Sequence, residues 1–128
     1  MRVFQGVLVV VGLFMLVTGL LDVIVGPALL PGGPSAEPTL DSHYRFFATL
    51  WSFLGVAVLS VVRRVREATG VLRYVCAAVF AGGLARIVSL VSVGTPHVLM
   101  VVFIGIELVL PPLLVWWQWT LTRPARTP

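Results

Sequence analysis

The sequence predicts an all-α integral membrane protein, a four-helix bundle in a single domain over residues 1–128. Of the 128 residues, 59% are hydrophobic and 11% are charged, whereas a soluble domain is usually ~45–50% apolar and ~25% charged. Four apolar runs approach or exceed the ~20 residues that cross a bilayer core as a helix; they cover 3–25, 46–62, 71–93 and 98–121. A transmembrane β-barrel would instead show alternating segments of ~10 residues.

Helix one is predicted over residues 3–26. Its apolar region is longer than the ~7–15 residues of a secretory signal and no small-x-small cleavage site follows it, so we expect it to be retained. Gly12, Gly19 and Gly26 recur every seven residues, which predicts a face that packs closely on another helix. The next segment, 26–41, holds four of the nine prolines and predicts an irregular loop.

The starts of the other three helices follow from capping signals. Helices two, three and four are predicted over 42–62, 71–93 and 96–121. Asp41 or Ser42 can cap helix two, and Thr69 can cap helix three. Thr95 can cap helix four, with Pro96 at its first helical position. The third connection is then only a few residues long, so helices three and four form a tight hairpin.

Two further patterns describe helices three and four. Ala78, Gly82 and Ala85 follow a small-xxx-small spacing, which predicts a packing face on helix three. Pro111 and Pro112 predict a kink in helix four, because proline removes a backbone donor and clashes with the preceding turn.

The basic residues lie on one side of a four-pass, up-down-up-down topology. The loops on the opposite side contain no basic residue, only Glu37 and Asp41. Under the positive-inside rule both termini are cytoplasmic, loop 26–41 is external and loop 63–70 is cytoplasmic. The seven basic residues are Arg2, Arg63, Arg64, Arg66, Arg73, Arg123 and Arg126.

Ionisable residues inside the apolar runs are the candidate functional residues. Arg86 and Glu107 lie nine residues before and twelve after Thr95, which places both roughly 14–18 Å below the external surface on adjacent helices, within reach of each other. Such residues usually face the bundle interior and find partners, because a lone charge at the bilayer centre costs ~2.5–3.5 kcal/mol. We therefore expect one polar cluster, biased toward the external side; its members are Arg86, Glu107, Asp22, Arg45 and Asp41.

The cluster is open to a structural and a functional interpretation. Buried ion pairs can fix helix register without adding much stability, but intramembrane ionisable residues also mark ion pathways and ligand sites. No nucleotide-binding glycine pattern, HExxH pair, GxSxG elbow or His/Cys cluster is present. We therefore expect no catalytic residue, no metal and no cofactor.

Three stretches together resemble a known family: LDSHYRFFATLW at 40–51, VFAGGLARIVSLVSVGTP at 79–96 and ELVLPPLLVWW at 107–117. In this order and spacing they resemble the bacterial membrane family called domain of unknown function 4345, over nearly the whole chain. The resemblance implies a small four-helix protein of the bacterial plasma membrane with no established activity. The residues that carry it are Asp41, Arg45, Arg86, Gly94, Glu107 and Pro111.

Three functions remain compatible with these patterns. The small size, short loops and nearly balanced charges favour a non-enzymatic accessory or scaffold subunit beside a larger membrane complex. The alternative is a small-molecule or lipid-binding transporter that uses the charge cluster, and a third is an enzyme acting on lipid head groups with the cluster carboxylates. Expected partners are membrane lipids and either a membrane protein or a second copy of the chain, but not nucleic acid, because no aromatic residues interleave the basic ones.

Overall fold

A computed structural model describes residues 1–33 and 37–123 and shows four long helices. They are α1 (Arg2–Val25), α2 (Pro38–Val61), α3 (Thr69–Ser92) and α4 (Val98–Thr122). Short 3-10 turns follow α1 and α2, and the described residues contain no strand. Each helix is long and apolar enough to cross a membrane. The predicted fold class is confirmed, and the chain is accordingly treated as a multi-pass membrane protein. Arg126 and residues 34–36 of the first loop lie outside the described residues.

The predicted helix caps are wrong at all three later helices. Helix α2 begins at Pro38, because proline is pre-organised for the first helical turn, so Asp41 lies in that turn and Ser42 inside the helix. Thr69 is the first residue of α3 and does not cap it. At α4 the backbone N–H of Leu99 donates to His97 Nδ1 at 3.2 Å. His97 is therefore the cap, and the helix starts two residues later than predicted.

Thr95 and Pro96 lie in the turn before that cap. The effect of Pro96 on the backbone of Thr95 is compatible with a cap at Thr95, because a cap residue is itself non-helical. Helix α4 begins later because the His97 side chain accepts the hydrogen bond from the Leu99 N–H. Gly94 has a φ of 122°, a conformation that favours glycine. The turn between α3 and α4 is thus short, as predicted, but its cap is a histidine.

Helices α1 and α2 form the tightest pair in the molecule, and they run antiparallel. A Cβ atom added at Gly12 would lie 2.8 Å from Leu59 Cγ, and one added at Gly19 would lie 2.8 Å from the Ala48 carbonyl oxygen. Gly55 of α2 makes a similarly close approach to α1. The predicted glycine face of helix one is confirmed, and it packs on α2.

Helix α3 packs through a different face from the one predicted. A Cβ atom at Gly83 would lie 3.1 Å from Glu107 Cβ, whereas nothing lies within 4 Å of one at Gly82. Gly82, Ala78 and Ala85 are all exposed, so their predicted packing role inside the bundle is wrong. The inward stripe repeats at helical spacing to one side of these small residues; it contains Leu72, Val75, Cys76, Val79 and Gly83. Arg86 continues the same line toward the loop end, but its side chain is exposed.

The bundle is closed at the end that carries most of the arginines, which we call the basic end. There Gln5 Nε2 donates to the Val62 carbonyl at 2.9 Å, and Gln118 Nε2 donates to the Val65 carbonyl at 3.0 Å. The rings of Phe4 and Trp117 meet edge to face with centroids 5.1 Å apart. The largest fully buried side chains are Phe4, Leu8, Leu72, Gln118 and Val58.

The opposite end, which carries residues 26–33 and the connection 93–97 and is called the loop end, is more open. The last turns of α3 and the start of α4 are exposed there, with Val91 at 82% and Val93 at 86%. The core is closed at the basic end and polar side chains lie toward the loop end, with a cavity between the two.

Candidate functional site

The predicted partners Arg86 and Glu107 are in contact across α3 and α4. Arg86 Nε lies 2.9 Å from Glu107 Oε2, and Gly83 permits the close approach of the two helices. Oε2 is buried and accepts no hydrogen bond of good geometry. The contact is therefore a short ion pair in which the N–H group of Arg86 does not point directly at the oxygen. The carboxylate side chain is 13% exposed but the arginine side chain is 45% exposed. Arg86 Nη1 reaches only the sulfur of Met100, at 3.8 Å.

Arg45 and Asp41 form a separate pair that caps α1. Arg45 Nε and Nη2 donate to the two Asp41 oxygens at 2.7 and 3.1 Å. Its Nη1 donates to the carbonyl oxygens of Val23 at 2.5 Å and Ile24 at 3.1 Å. The last carbonyls of a helix lack intrahelical partners, and a planar guanidinium supplies donors in a fixed fork. This pair therefore holds the end of α1 against the start of α2.

Gly26 explains how the arginine gets so close to the helix end. It has a φ of 80°, and a Cβ atom there would lie 2.6 Å from Arg45 Nη2. A residue with a side chain would be strained by that backbone and would displace the guanidinium. The ion pair of Arg45 and Asp41 therefore depends on the glycine in the turn after α1.

Asp22 lies near a residue that is absent from the sequence candidates. Tyr44 is close enough to interact electrostatically with both the Asp22 carboxylate and Arg86. Asp22 and Tyr44 are both half-buried. Tyr44 lies on the inward stripe of α2, four residues before the buried Ala48, and only the structure reveals that this stripe is turned inward.

The single cluster of five charged residues is therefore divided. Asp41 and Arg45 serve the helix end, whereas the other three join Tyr44 in a group to which each helix contributes one side chain. This group, called the polar cluster, consists of Asp22 (α1), Tyr44 (α2), Arg86 (α3) and Glu107 (α4). With its carboxylates ionised it carries two negative charges and one positive charge.

An apolar cavity of about 330 Å³ adjoins the polar cluster on the side of the basic end. All four helices contribute to its wall, and among the described residues that line it Glu107 is the only charged one. Ligand pockets are typically ~300–1,000 Å³, mostly apolar, with a few placed polar groups. Exposed Val10 and Ile106 lie on its rim between α1 and α4, so it is open sideways toward the lipid.

Aromatic side chains form part of the cavity wall. Trp51 Nε1 donates to Thr18 Oγ1 at 3.1 Å, which fixes the indole between α1 and α2. Phe14 of α1 and Phe103 of α4 also line the cavity, and their ring centroids lie 6.2 Å apart, a distance typical of an aromatic pair. Neither the aromatic wall nor the buried Gln118 was among the sequence candidates, because an isolated aromatic or amide residue in an apolar helix gives no specific signal.

Pro111 also lines the cavity, one turn below Glu107. Helix α4 is continuous through Pro111 and Pro112, and because proline has no N–H the carbonyls of Glu107 and Leu108 lose their usual helical donors. The predicted kink stays a prediction.

Within residues 1–33 and 37–123, no group of three or more His, Cys, Asp or Glu side chains is arranged to hold a metal ion. Cys76 is buried among apolar neighbours in the core.

Comparisons with known proteins identify a family for this chain. A family model described as "Domain of unknown function (DUF4345)" matches residues 3–118. No curated protein and no solved structure gave a match. Because the family model covers nearly the whole chain, the protein belongs to the DUF4345 family.

Proposed function

We propose that this protein is a non-enzymatic membrane protein that binds a small apolar or amphiphilic molecule, drawn from the lipid phase, in the cavity between its four helices. One observation carries the proposal: a cavity of about 330 Å³ that opens sideways between α1 and α4. Sequence patterns favoured an accessory subunit, with ligand binding as the alternative. The cavity reverses that preference.

The size of the cavity limits the ligand. Its volume equals that of roughly eleven waters at about 30 Å³ each, which suits one medium-length alkyl chain or a few aromatic rings. The residues at its base, Leu72 and Leu114, are buried in the core, so the cavity ends inside the bundle. Passage through the protein to the basic end would therefore need a change in helix packing.

The orientation of the chain is also part of the proposal. Six arginines of the described residues lie at or near the basic end, and the positive-inside rule then puts that end and both termini in the cytoplasm. The loop end and the polar cluster face the external half of the membrane, which in a bacterium is the plasma membrane. Arg63 and Arg64 border an open groove with Val9 and Leu59, a surface suited to anionic lipid.

A photoreactive hydrocarbon tests the binding proposal. The protein in nanodiscs of zwitterionic lipid is labelled with a neutral, diazirine-bearing aromatic hydrocarbon, with and without an excess of the inert analogue. We expect saturable adducts at cavity residues such as Phe14 and Phe103, identified by mass spectrometry. Adducts on lipid-facing residues should increase without saturation.

A cavity-filling variant and its control make the test specific. Val79→Phe places a ring in the cavity wall, whereas Val88→Phe adds the same ring at a position of α3 that is 64% exposed. We expect the first to abolish saturable labelling and the second to preserve it. Absence of saturable labelling in the unmodified protein, with the helices intact by circular dichroism, would exclude the proposed function.

A second candidate function, the accessory or scaffold role, is favoured by one observation. Ala78, Gly82 and Ala85 form an exposed small-residue face on α3, and such faces allow close contact between membrane helices. The occupant would be a helix of a membrane partner or of a second copy. Affinity purification in mild detergent tests this role, and Gly82→Leu should remove any specific partner. Recovery of a monomer alone would contradict it.

A further inference from the structure

We infer that the ligand is a lipophilic organic cation, with an aromatic or alkyl body inside the cavity and its positive charge directed toward Glu107. This inference rests on the proposed function, because it names the chemical class that the same cavity takes. Two observations support it: the negative charge in the cavity wall and the aromatic residues that line the cavity.

The charge distribution around the cavity favours a cation. Glu107 reaches the cavity wall, whereas its partner Arg86 stands farther out with a side chain that is 45% exposed. A ligand in the cavity therefore faces the negative member of the ion pair. In a water-poor interior this difference in position counts, since charge interactions are much stronger than in water.

Asp22 adds a second negative charge on the same side. It lies seven residues beyond Met15, which lines the cavity, and so on the same face of α1 about 10 Å toward the loop end. Its neighbour Tyr44 offers a hydroxyl group, which does not neutralise the charge of the Asp22 carboxylate. Asp22, Glu107 and Arg86 together leave one negative charge uncompensated, whereas Arg45 is held by Asp41.

The aromatic part of the wall provides a second form of recognition. Trp51, Phe14 and Phe103 all line the cavity. Aromatic faces attract organic cations, tryptophan most strongly, and the attraction increases when the cation is desolvated. The hydrogen bond from Trp51 to Thr18 fixes the indole before any ligand binds, which reduces the entropy lost on binding.

Two ions of similar shape and opposite charge test the inference. Octyltrimethylammonium and octanesulfonate each carry one alkyl chain with a compact charged head group at its end. They are titrated into nanodiscs of zwitterionic lipid, and the saturable binding above that of empty nanodiscs is measured for each. We expect the cation to bind at least about tenfold more tightly than the anion, a difference equivalent to one modest charge interaction. Equal affinity, or tighter binding of the sulfonate, would overturn the inference.

Variants identify the group responsible. Asp22→Asn leaves the pair of Arg86 and Glu107 intact and should reduce the preference for the cation. The double variant Arg86→Gln with Glu107→Gln removes both charges of the pair, which avoids an unpaired arginine, and should reduce cation affinity further. Glu67→Gln makes the same change of charge in the exposed connection at the basic end and should change nothing.

The outcomes separate this inference from the proposed function. Saturable labelling by the neutral hydrocarbon without a preference between the two ions would leave the cavity as a binding site and refute the cation. Loss of labelling by the hydrocarbon would refute the function itself. A cation preference that Glu67→Gln reduces as much as the cluster variants do would mean that net charge alone, and not the cavity, selects the ion.

Discussion

The ion pair of Arg86 and Glu107 leads to an asymmetric prediction about stability. Substituting Arg86 by methionine leaves the carboxylate of Glu107 alone, and that side chain is only 13% exposed. Substituting Glu107 by methionine leaves Arg86, which is 45% exposed and can extend its charged group toward the membrane surface. The two single variants should therefore not be equally destabilised.

The magnitudes follow from the geometry. At 2.9 Å the gross attraction is on the order of 6 kcal/mol for an effective dielectric constant of about 20, and the desolvation of both groups offsets much of it. An unpaired charge inside the membrane costs ~2.5–3.5 kcal/mol. We expect Arg86→Met to lose about that much stability and Glu107→Met to lose about 1 kcal/mol, since the long arginine side chain is not enclosed by the bundle and can extend toward the loop end.

The double variant completes the cycle. With both residues changed to methionine no charge is left unpaired, and replacing a buried ion pair by apolar residues is often neutral. The double variant should lie within about 1 kcal/mol of the unmodified protein, and so be more stable than Arg86→Met alone. Free energies of unfolding are measured by titrating dodecylmaltoside micelles with sodium dodecyl sulfate and following circular dichroism.

An exposed arginine serves as the control for this cycle. Arg73→Met removes a charge at an exposed position of α3 near the basic end and should change stability by less than about 0.5 kcal/mol. If Arg86→Met and the double variant lost the same stability, the unpaired carboxylate would not be the source of the cost. If Glu107→Met cost more than Arg86→Met, the argument from exposure would be refuted.

Three other predictions concern packing, capping and orientation. Gly19→Ala should lower the free energy of unfolding by about 1–3 kcal/mol because its Cβ would lie 2.8 Å from a carbonyl oxygen of α2. Gly6→Ala, in open space, should raise it by up to ~1 kcal/mol. Equal effects of the two variants in the same unfolding titration would refute this. Arg45→Met should lose about 1–2 kcal/mol, since two backbone carbonyls of α1 lose their donor, and hydrogen exchange should quicken in the last turn of α1 only. In a background without the native cysteine, a membrane-impermeant maleimide applied to intact cells should label Glu37→Cys but not Arg66→Cys; the reverse pattern would invert the proposed topology.

The polar cluster shows how far sequence reasoning extends to a membrane site. The pairing of Arg86 with Glu107 was predictable, since equal depth on two helices joined by a short turn leaves few other partners. The separation of Arg45 and Asp41 was not, because their role depends on the backbone of Gly26 and on carbonyls of α1. A carbonyl oxygen is present at every residue, so the sequence gives no sign of which one an arginine will meet.

The small residues illustrate a second limit. The glycines of α1 were assigned to a packing face that the structure contains, whereas the spacing of Ala78, Gly82 and Ala85 indicated a face that is in fact exposed. Both patterns place small residues along one face of a helix. Because lipid and the bundle interior are both apolar, hydropathy cannot tell which face of a helix is turned inward.

By itself the sequence determined the number of helices, their approximate ends, the asymmetry of the arginines and the cost of each charge in the membrane. These follow from composition and chain length, because a bilayer imposes the same thickness and polarity on every helix. Only the tertiary structure decided which side chains share an interior, how the five charged residues divide, and that an aromatic-lined cavity lies beside Glu107. Those depend on how each helix is rotated about its axis, which close packing fixes and the apolar pattern of a membrane helix does not.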